Sequence, residues 1–292
     1  MSIVHQTSPT TPLPPDPGSN EDPFRYGWRY KKITKPDGTV DFDQVPLTLE
    51  DLLFPEEGDF VVQTESHRRD WVYLDLVFDS QLADDPSAVV LADCRVDFNV
   101  PGVRPLGPDV VVILGVKQYR DWATLDLAAE GTHAALVVEV TSPDTRPNDF
   151  GIKRDFYHRA RVPLYVIVDS AEVGGRRKIS LEGFRWTPEG FEAFPPGDQG
   201  RFWLDPVRVW LGTTAAEYGD RVACFDQEGR EIGDYEEINR ARIEAETRAA
   251  QAEAKATEVE ARAAHESAAR TELERRIQVL EEELRRVKGG SE

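Results

Sequence analysis

Two short apolar stretches with one acidic residue each decide the fold of this chain, PDVVVI at Pro108–Ile113 and ALVVEVTSP at Ala135–Pro143. Runs of this length and composition predict buried strands. A carboxylate that is buried without a partner is costly, so neither strand gains stability from Asp109 or Glu139. Two such carboxylates on adjacent strands are a candidate site for one divalent metal ion.

Each carboxylate also has a purely structural explanation. Asp109 follows a proline, and a Pro-Asp pair before a strand is often a turn in which the Asp accepts hydrogen bonds from backbone N–H groups. Glu139 would be explained by an edge strand with one solvated face. The neighbouring Val138 and Val140 instead indicate that both faces of this strand are buried, which favours a metal or a cation as the partner of Glu139.

A predicted helix from Asp149 to Arg161 follows the second strand and brings a lysine towards the two acids. Asp149, Lys153 and Tyr157 are spaced by four residues and share one helix face. Lys153 would stabilise negative charge that develops on a substrate or orient an attacking water. The alternatives are a helix N-terminal charge for Asp149 and a solvated surface lysine for Lys153.

The pattern of strands and helices indicates an α/β fold. Apolar runs at 110–114, 135–140 and 164–168 predict a sheet that is covered on both faces, and the helix between the last two implies a crossover connection. We also predict one strand from Val89 to Val100, followed after 110–114 by a polar excursion at 115–131. One helix is predicted to begin at Thr48, with Asp51 in a capping box. A second helix is predicted to run from about Ser66 to Leu82.

The chain is predicted to have four parts. Residues 1–23 are rich in Pro, Ser and Thr and are expected to be disordered. Residues 24–46 predict a hairpin around the turn Pro36-Asp37-Gly38. Residues 47–233 form the α/β domain, and residues 234–288 form a long helix.

The long helix has a heptad pattern that predicts a coiled coil. The positions of its seam are Ile238, Arg242, Ala245, Ala249, Ala252, Ala256, Val259, Ala263, Glu266, Arg270, Leu273, Ile277, Leu280, Leu284 and Val287. The Leu and Ile of the last two heptads would contribute most of the association energy. The alternative is a long single helix that is stabilised by charge pairs.

Composition limits the classes of function. The 292 residues carry a net charge of -19. Residues 234–292 account for -4 of it, with 15 acidic and 11 basic residues, and the rest of the chain therefore carries -15. This acidity disfavours broad, non-specific nucleic-acid binding, although it leaves a local basic cleft open.

We see no apolar run long enough for a transmembrane helix and no secretory signal. Two cysteines without a CxxC motif predict a cytoplasmic protein without a membrane partner.

Several of these motifs together resemble the Uma2-family endonuclease domain, a branch of the PD-(D/E)XK, restriction-endonuclease-like superfamily. The resemblance covers roughly residues 47–260. The motifs that carry it are Pro108-Asp109, Val138–Pro143, Asp149, Lys153, Tyr157, Val162–Asp169, the helix at Leu47–Leu53, the helix start Glu65-Ser66-His67 and the turn Tyr235-Glu236-Glu237 that precedes the heptads.

The resemblance implies a mixed central sheet flanked by helices and a metal-dependent cleavage of phosphodiester bonds with Mg²⁺ or Mn²⁺. Asp109 and Glu139 match the metal-binding carboxylates of the family. By analogy with the superfamily, the backbone carbonyl of Val140 is a third metal ligand.

The superfamily lysine two residues after the glutamate is missing, because Thr141 stands there. In Uma2-like sequences a lysine on the following helix takes its place, and Lys153 matches it. This departure leaves the identity of the catalytic base open. Glu65 or His67 would support the site, and a role at the helix N-terminus is the alternative for both.

The sequence therefore predicts a Mg²⁺-dependent DNA endonuclease that forms a homo-oligomer through its C-terminal helix, with Asp109, Glu139 and Lys153 as catalytic residues. One alternative is a catalytically degenerate nuclease fold that acts as a scaffold through the coiled coil. Another is a metal-dependent hydrolase of small substrates, for which we find no phosphate-binding loop, Ser/His/Asp set or zinc motif in the sequence.

Overall fold

The computed structural model describes residues 22–289 of the chain. The chain divides into two compact units, Met1–Ile232 and Gly233–Glu292. The helices are α1 (Leu49–Leu53), α2 (Glu65–Leu82), α3 (Leu127–Glu130), α4 (Arg146–Phe150), α5 (Ile152–Arg159) and α6 (Tyr235–Gly289). The strands are β1 (Gly27–Thr34), β2 (Val40–Pro46), β3 (Phe60–Val61), β4 (Val89–Ala92), β5 (Arg95–Asp97), β6 (Val110–Leu114), β7 (Thr124–Asp126), β8 (His133–Val140), β9 (Leu164–Val173), β10 (Arg176–Thr187), β11 (Gly190–Phe194), β12 (Phe202–Leu204), β13 (Val209–Ala216), β14 (Gly219–Phe225) and β15 (Glu231–Ile232). The predicted disordered tail at 1–23 lies outside the described residues except for its last two.

A large mixed sheet forms the centre of the first unit. Within residues 22–289 it has ten strands, eight of which follow the order β12-β13-β14-β10-β9-β8-β6-β4, while β11 pairs with β10 and β15 with β14. The interior strand β8 runs antiparallel to β6 and parallel to β9. A parallel pair needs a crossover connection, which α4 and α5 supply. The prediction of an α/β fold with a mixed central sheet is confirmed.

Helices cover the two faces of this sheet. On one face, Leu74 and Phe78 of α2 lie in the same core cluster as Val138 of β8. On the other face, Tyr157 of α5 belongs to a second cluster with Val137. Successive residues of β8 therefore point into different cores, which explains why this strand is apolar along its length.

The single strand predicted over Val89–Val100 is wrong. The segment forms two short strands, β4 and β5, because Asp93 between them adopts a left-handed conformation with φ of 49°. Asp tolerates that conformation better than most residues. After the break, β5 pairs with β7 in a separate two-stranded sheet. The segment 115–131, predicted to be a polar excursion, therefore also contains regular structure in β7 and α3.

The single helix predicted over Asp149–Arg161 is also wrong in detail. It is divided into α4 and α5 at Gly151, whose φ of -110° and ψ of -97° are not helical. A Cβ atom at this position would lie 2.7 Å from the carbonyl oxygen of Pro147. Glycine therefore allows a tight break in the chain between the two short helices.

The first turns of α1 and α2 are fixed by side-chain caps. Thr48 and Asp51 form the predicted capping box at α1. Thr64 caps α2, where its Oγ1 accepts a hydrogen bond of 3.2 Å from the backbone N–H of His67. The cap defines the first turn of α2, which carries His67 towards the end of β6.

A separate three-stranded sheet precedes α2. Strands β1 and β2 form an antiparallel hairpin around the turn at 36–38, and β3 pairs with the start of β1. Arg29 of β1 makes ion pairs of 2.7, 2.7 and 2.8 Å with Asp51, Glu56 and Asp59. These contacts connect the hairpin to α1 and to the loop that leads into β3.

The second unit contains the long helix α6. The pairing of this helix with another copy stays a prediction. Among residues 22–289, none of the helices has the length and apolar character that crossing a membrane requires.

The pairing of β1 with β3 depends on Gly27. This residue has φ of 111°, and a Cβ atom there would overlap the backbone carbonyl of Phe60. Gly58 has φ of 90° but open space around the same position. We therefore expect Gly27→Ala to lower the free energy of unfolding by about 1–3 kcal/mol more than Gly58→Ala, as measured by urea denaturation. Equal losses in the two variants would show that backbone strain alone decides the effect.

Candidate active site

The register of two neighbouring strands brings the two predicted acids together. Val110 of β6 is paired with Val138 of β8. Because the two strands are antiparallel, the residue before Val110 faces the residue after Val138. Asp109 therefore lies opposite Glu139. Asp109 Oδ2 accepts a hydrogen bond of 2.7 Å from the backbone N–H of Val140, which fixes the Asp109 carboxylate at the end of β8.

Glu139 is fully buried and hydrogen-bonded at both oxygens. Its Oε2 accepts from Lys153 Nζ at 2.9 Å, and its Oε1 accepts from the Tyr157 hydroxyl at 2.5 Å. Burial raises the pKa of Glu139 well above its usual range, and the nearby charges of Asp109 and Asp149 raise it further against the opposing effect of Lys153. The site therefore concentrates more negative charge around Glu139 than one ammonium group removes.

Lys153 lies between two carboxylates. Its Nζ is 2.9 Å from Glu139 Oε2 and 3.1 Å from Asp149 Oδ1. Burial favours the neutral amine, but the three carboxylates of Asp149, Glu139 and Asp109 outweigh it and raise the pKa of Lys153 above its ordinary value. Lys153 is thus a fixed cation at neutral pH.

Asp149 is buried at the end of α4, and Lys153 follows on α5 across the break at Gly151. Tyr165 of β9 donates a hydrogen bond of 2.8 Å to the backbone carbonyl of Asp149 and thereby fixes this turn to the sheet. The carboxylate Oδ1 of Asp149 is buried without a hydrogen bond of good geometry, although the ammonium of Lys153 is close to it. It retains capacity for a further cation.

His67 reaches the same cluster from α2. Its Nε2 is 3.2 Å from Asp109 Oδ1, while its Nδ1 is buried without a hydrogen bond. Burial disfavours the charged imidazole, but Asp109 outweighs it and raises the pKa of His67. Burial alone would raise the pKa of Asp109. His67, Lys153 and the backbone N–H of Val140 together outweigh burial and lower this pKa, so Asp109 is held ionised.

Glu65, by contrast, does not join this cluster. Its exposed carboxylate lies in the first turn of α2 and pairs with Arg68 at 3.1 Å and with Arg69 at 3.5 Å. This is the helix N-terminal role that the sequence allowed for Glu65. His67 is therefore the member of this motif that contacts an acid of the site.

Thr141, at the position of the superfamily lysine, has a partner of its own. Its Oγ1 donates a hydrogen bond of 2.7 Å to Asp169 Oδ1, and Asp169 also accepts from Arg146 Nε at 2.9 Å. The cation beside Glu139 is supplied instead by Lys153 from α5, as the resemblance implied.

A cavity of about 890 Å³ opens beside the cluster. Asp109, Asp149, Lys153 and His67 line it, whereas Glu139 is fully buried and is not among its lining residues. The cavity is large enough for a nucleotide-sized group. A ligand beside the cluster would meet Lys153 together with the carboxylates of Asp109 and Asp149, and further acidic residues line the rest of the cavity.

Asp93 also lines this cavity, and sequence reasoning did not single it out. Its backbone N–H donates to the carbonyl of Asp109 at 3.2 Å. Burial raises the pKa of Asp93, and the charge of Asp109 raises it further. The signal available in the sequence was an acid that interrupts the apolar segment 89–100.

The donor set fits a hard divalent cation. Asp109 lies opposite Glu139 in the strand register, and Lys153 contacts both Glu139 and Asp149. Asp149 Oδ1, 3.1 Å from Lys153 Nζ, is buried without a hydrogen bond of good geometry. Mg²⁺ and Mn²⁺ prefer such oxygen ligands. In the part of the chain that the structure describes, no three His, Cys, Asp or Glu side chains form a complete metal-binding group. An ion held here would therefore take further ligands from the backbone, water and substrate, as Mg²⁺ usually does.

Comparison with known proteins gives a family match and a likeness to solved structures. The Uma2 family model, described as "Putative restriction endonuclease", matches residues 57–205. A crystal structure of a "putative nuclease belonging to DUF820 from Anabaena variabilis" is 12% identical, with a TM-score of 0.33, and the match covers 54% of this chain and 73% of that one. None of the curated proteins matches the chain.

The hydroxyl of Tyr157 is predicted to stabilise the fold by hydrogen-bonding a charged group. Tyr157→Phe removes the donor to Glu139, whereas Tyr165→Phe removes an equally buried donor to a neutral carbonyl. We expect the free energy of unfolding to fall by about 1.5–3 kcal/mol in the first variant and by about 0.5–1.5 kcal/mol in the second. Urea denaturation of both variants measures the difference, and a larger loss in Tyr165→Phe would contradict this assignment.

Proposed function

Because the chain belongs to the Uma2 family, we propose that it is a metal-dependent endonuclease that hydrolyses phosphodiester bonds of DNA. The observation that carries this proposal is the buried cluster of Asp109, Glu139 and Lys153 beside a cavity. Stability does not call for such a cluster, because a buried set of charges is seldom more stable than apolar residues of similar volume.

In this proposal, the metal is held by Asp109 and Glu139, with the backbone carbonyl of Val140 as a third ligand. Asp149 is a further candidate ligand, because its carboxylate also lines the cavity. When bound, Mg²⁺ or Mn²⁺ lowers the pKa of a water molecule and neutralises charge on a phosphate.

The protein groups around the metal have separate roles. Lys153 is held as an ammonium, so it acts as a stabiliser of phosphate charge and not as the general base. Tyr157 keeps Glu139 in place by donating to Oε1, and its own pKa is raised by burial and by that carboxylate, so it stays a donor. His67 positions Asp109 from the first turn of α2.

The test is metal-dependent nicking of supercoiled plasmid DNA. We expect cleavage with Mg²⁺ or Mn²⁺ and none with EDTA. Asp109→Asn, Glu139→Gln and Lys153→Met should each lower the rate by about a hundredfold or more, because each removes a charge from the reacting centre. The matched control is Asp220→Asn, which removes a carboxylate that pairs with Lys178 at 3.2 Å elsewhere in the sheet. This control should cleave at the wild-type rate, and nicking that persists in Asp109→Asn and Glu139→Gln would contradict the proposal.

A non-catalytic scaffold is the second candidate function. It is favoured by Thr141, which occupies the position of the superfamily lysine and is hydrogen-bonded to Asp169. In that case Lys153 would serve only to neutralise Glu139 and Asp149. Absence of nicking by the folded wild-type protein with either metal would favour this candidate.

The location we propose is the cytoplasm. The cysteines of the described chain, Cys94 and Cys224, are unpaired, as expected in a reducing compartment. Burial raises the pKa of both thiols, which keeps them protonated and unreactive.

We propose that the protein forms a homo-oligomer through α6. Val259, Leu273, Ile277 and Leu280 of the predicted seam are all exposed in the single chain. A helix of this length with an exposed apolar stripe gains stability by pairing with another copy.

Size-exclusion chromatography with light scattering tests this pairing. We expect the wild-type protein to have the mass of a dimer or a larger oligomer. Ile277→Asp should shift it towards the monomer, because a charge would then be buried in the seam. Gln278→Asp, one residue off the seam, is the control and should keep the wild-type mass. A monomeric wild-type protein at micromolar concentration would exclude the coiled coil.

A further inference from the structure

The N-terminal sheet presents aromatic side chains on one face. In its register, Trp28 of β1 is paired with Phe60 of β3, and Lys32 with Phe42 of β2. Residues of one strand alternate between faces, so Tyr30 lies on the same face as Trp28 and Lys32. We call Trp28, Tyr30, Phe42 and Phe60 the aromatic face.

The rings of this face are arranged as a platform and are open to solvent. Trp28 and Phe60 are stacked with their centroids 5.5 Å apart, and Tyr30 meets Phe60 edge-on at 6.0 Å. Tyr30 is 55% exposed, Phe42 62% and Phe60 50%. Exposed rings that lie together indicate a binding surface more than a stabilising contact.

The charge of the hairpin is opposite to that of the chain. Residues 24–46 contain five Lys and Arg against three Asp, whereas the whole chain has a net charge of -19. Lys32 lies on the aromatic face itself, opposite Phe42. Arg29 of the hairpin is already paired with Asp51, Glu56 and Asp59, so the positive charge that this face offers a ligand is that of Lys32. A lysine among exposed rings is complementary to a polyanion that also offers flat apolar groups.

The hairpin sheet is continuous with the candidate active site. Val61 and Val62, which directly follow Phe60, line the cavity that contains Asp109 and Lys153. The chain then enters α2, whose first turn carries His67. The sheet that carries the aromatic face on one side therefore adjoins the cavity through its last strand.

We infer that the aromatic face binds single-stranded nucleic acid by stacking unpaired bases, an inference that rests on the proposed nuclease function. Bases in a duplex have no free faces for such stacking, whereas every unpaired base has one. The acidic body disfavours the phosphate contacts on which duplex binding depends. The hairpin at 24–46, which supplies three of the four rings, lies outside the region matched by the family model, whereas Phe60 lies inside it.

Fluorescence anisotropy of a labelled oligothymidylate strand, with the full-length protein in EDTA, measures this binding without cleavage. Tyr30→Ala and Phe42→Ala should each weaken it by about fivefold or more, and the double variant by the product of the two effects. Lys32→Glu keeps the rings and should also weaken binding, more strongly at low salt. The control Tyr218→Ala removes a tyrosine that is 80% exposed in the turn between β13 and β14 and should bind as the wild type does. Circular dichroism checks that each variant is folded.

Three outcomes would overturn the inference. One is unchanged binding in the folded Tyr30→Ala/Phe42→Ala variant, and another is equal affinity of the wild type for a duplex of the same length. The third is a change of oligomeric mass in the double variant, which would assign the face to a second copy of the chain.

The same series separates this inference from the proposed function. Asp109→Asn should bind the single strand like the wild type, because binding does not require the metal. Ring-dependent binding without any metal-dependent nicking would overturn the nuclease and retain the binding site. Nicking by the wild type, combined with unchanged binding in the double variant, would overturn the binding site alone.

Discussion

The carboxylate of Glu139, buried in the middle of the large sheet, is the constraint on which the rest of the site depends. Val138 and Val140 on either side of it point into one apolar core, Val137 on its own face points into the other, and the side chain of Glu139 is fully buried from water. An isolated charge there would be very costly. The hydroxyl of Tyr157 and the ammonium of Lys153 satisfy one oxygen each, and both come from α5. This short helix of the crossover connection is therefore held in one rotation about its axis by electrostatics as well as by packing.

The cationic groups of this cluster do not fully compensate the charge of its carboxylates. Asp109, Glu139 and Asp149 contribute three carboxylates, while Lys153 and His67 are the cationic groups in contact with them. Burial is the main cause of the raised pKa values of Glu139 and Asp149, and repulsion by the charge of Asp109 adds to it. A divalent cation would relieve that repulsion, and under the proposed function it would account for a cluster that stability alone would not select.

The sequence predicted the centre of the site better than its surroundings. The adjacency of Asp109 and Glu139 followed from two apolar strands, and the four-residue spacing of Asp149, Lys153 and Tyr157 survived the break at Gly151. The break itself was not predictable from local propensity, because a single glycine in a helical pattern is usually tolerated. The left-handed conformation of Asp93 and the choice between Glu65 and His67 were not predictable either, since both depend on contacts between distant segments. His67 reaches Asp109 across 42 positions of sequence, and no local pattern specifies that contact.

The central claim is that the buried carboxylates form a metal site, and a crystal structure grown with Mn²⁺ tests it most directly. The anomalous difference map should show one strong peak within bonding distance of Asp109 and Glu139, with the ammonium of Lys153 displaced from the ion and directed into the cavity. A map without a peak at this cluster, at Mn²⁺ concentrations that saturate other sites, would contradict the claim and leave Lys153 as the permanent counter-ion of Glu139.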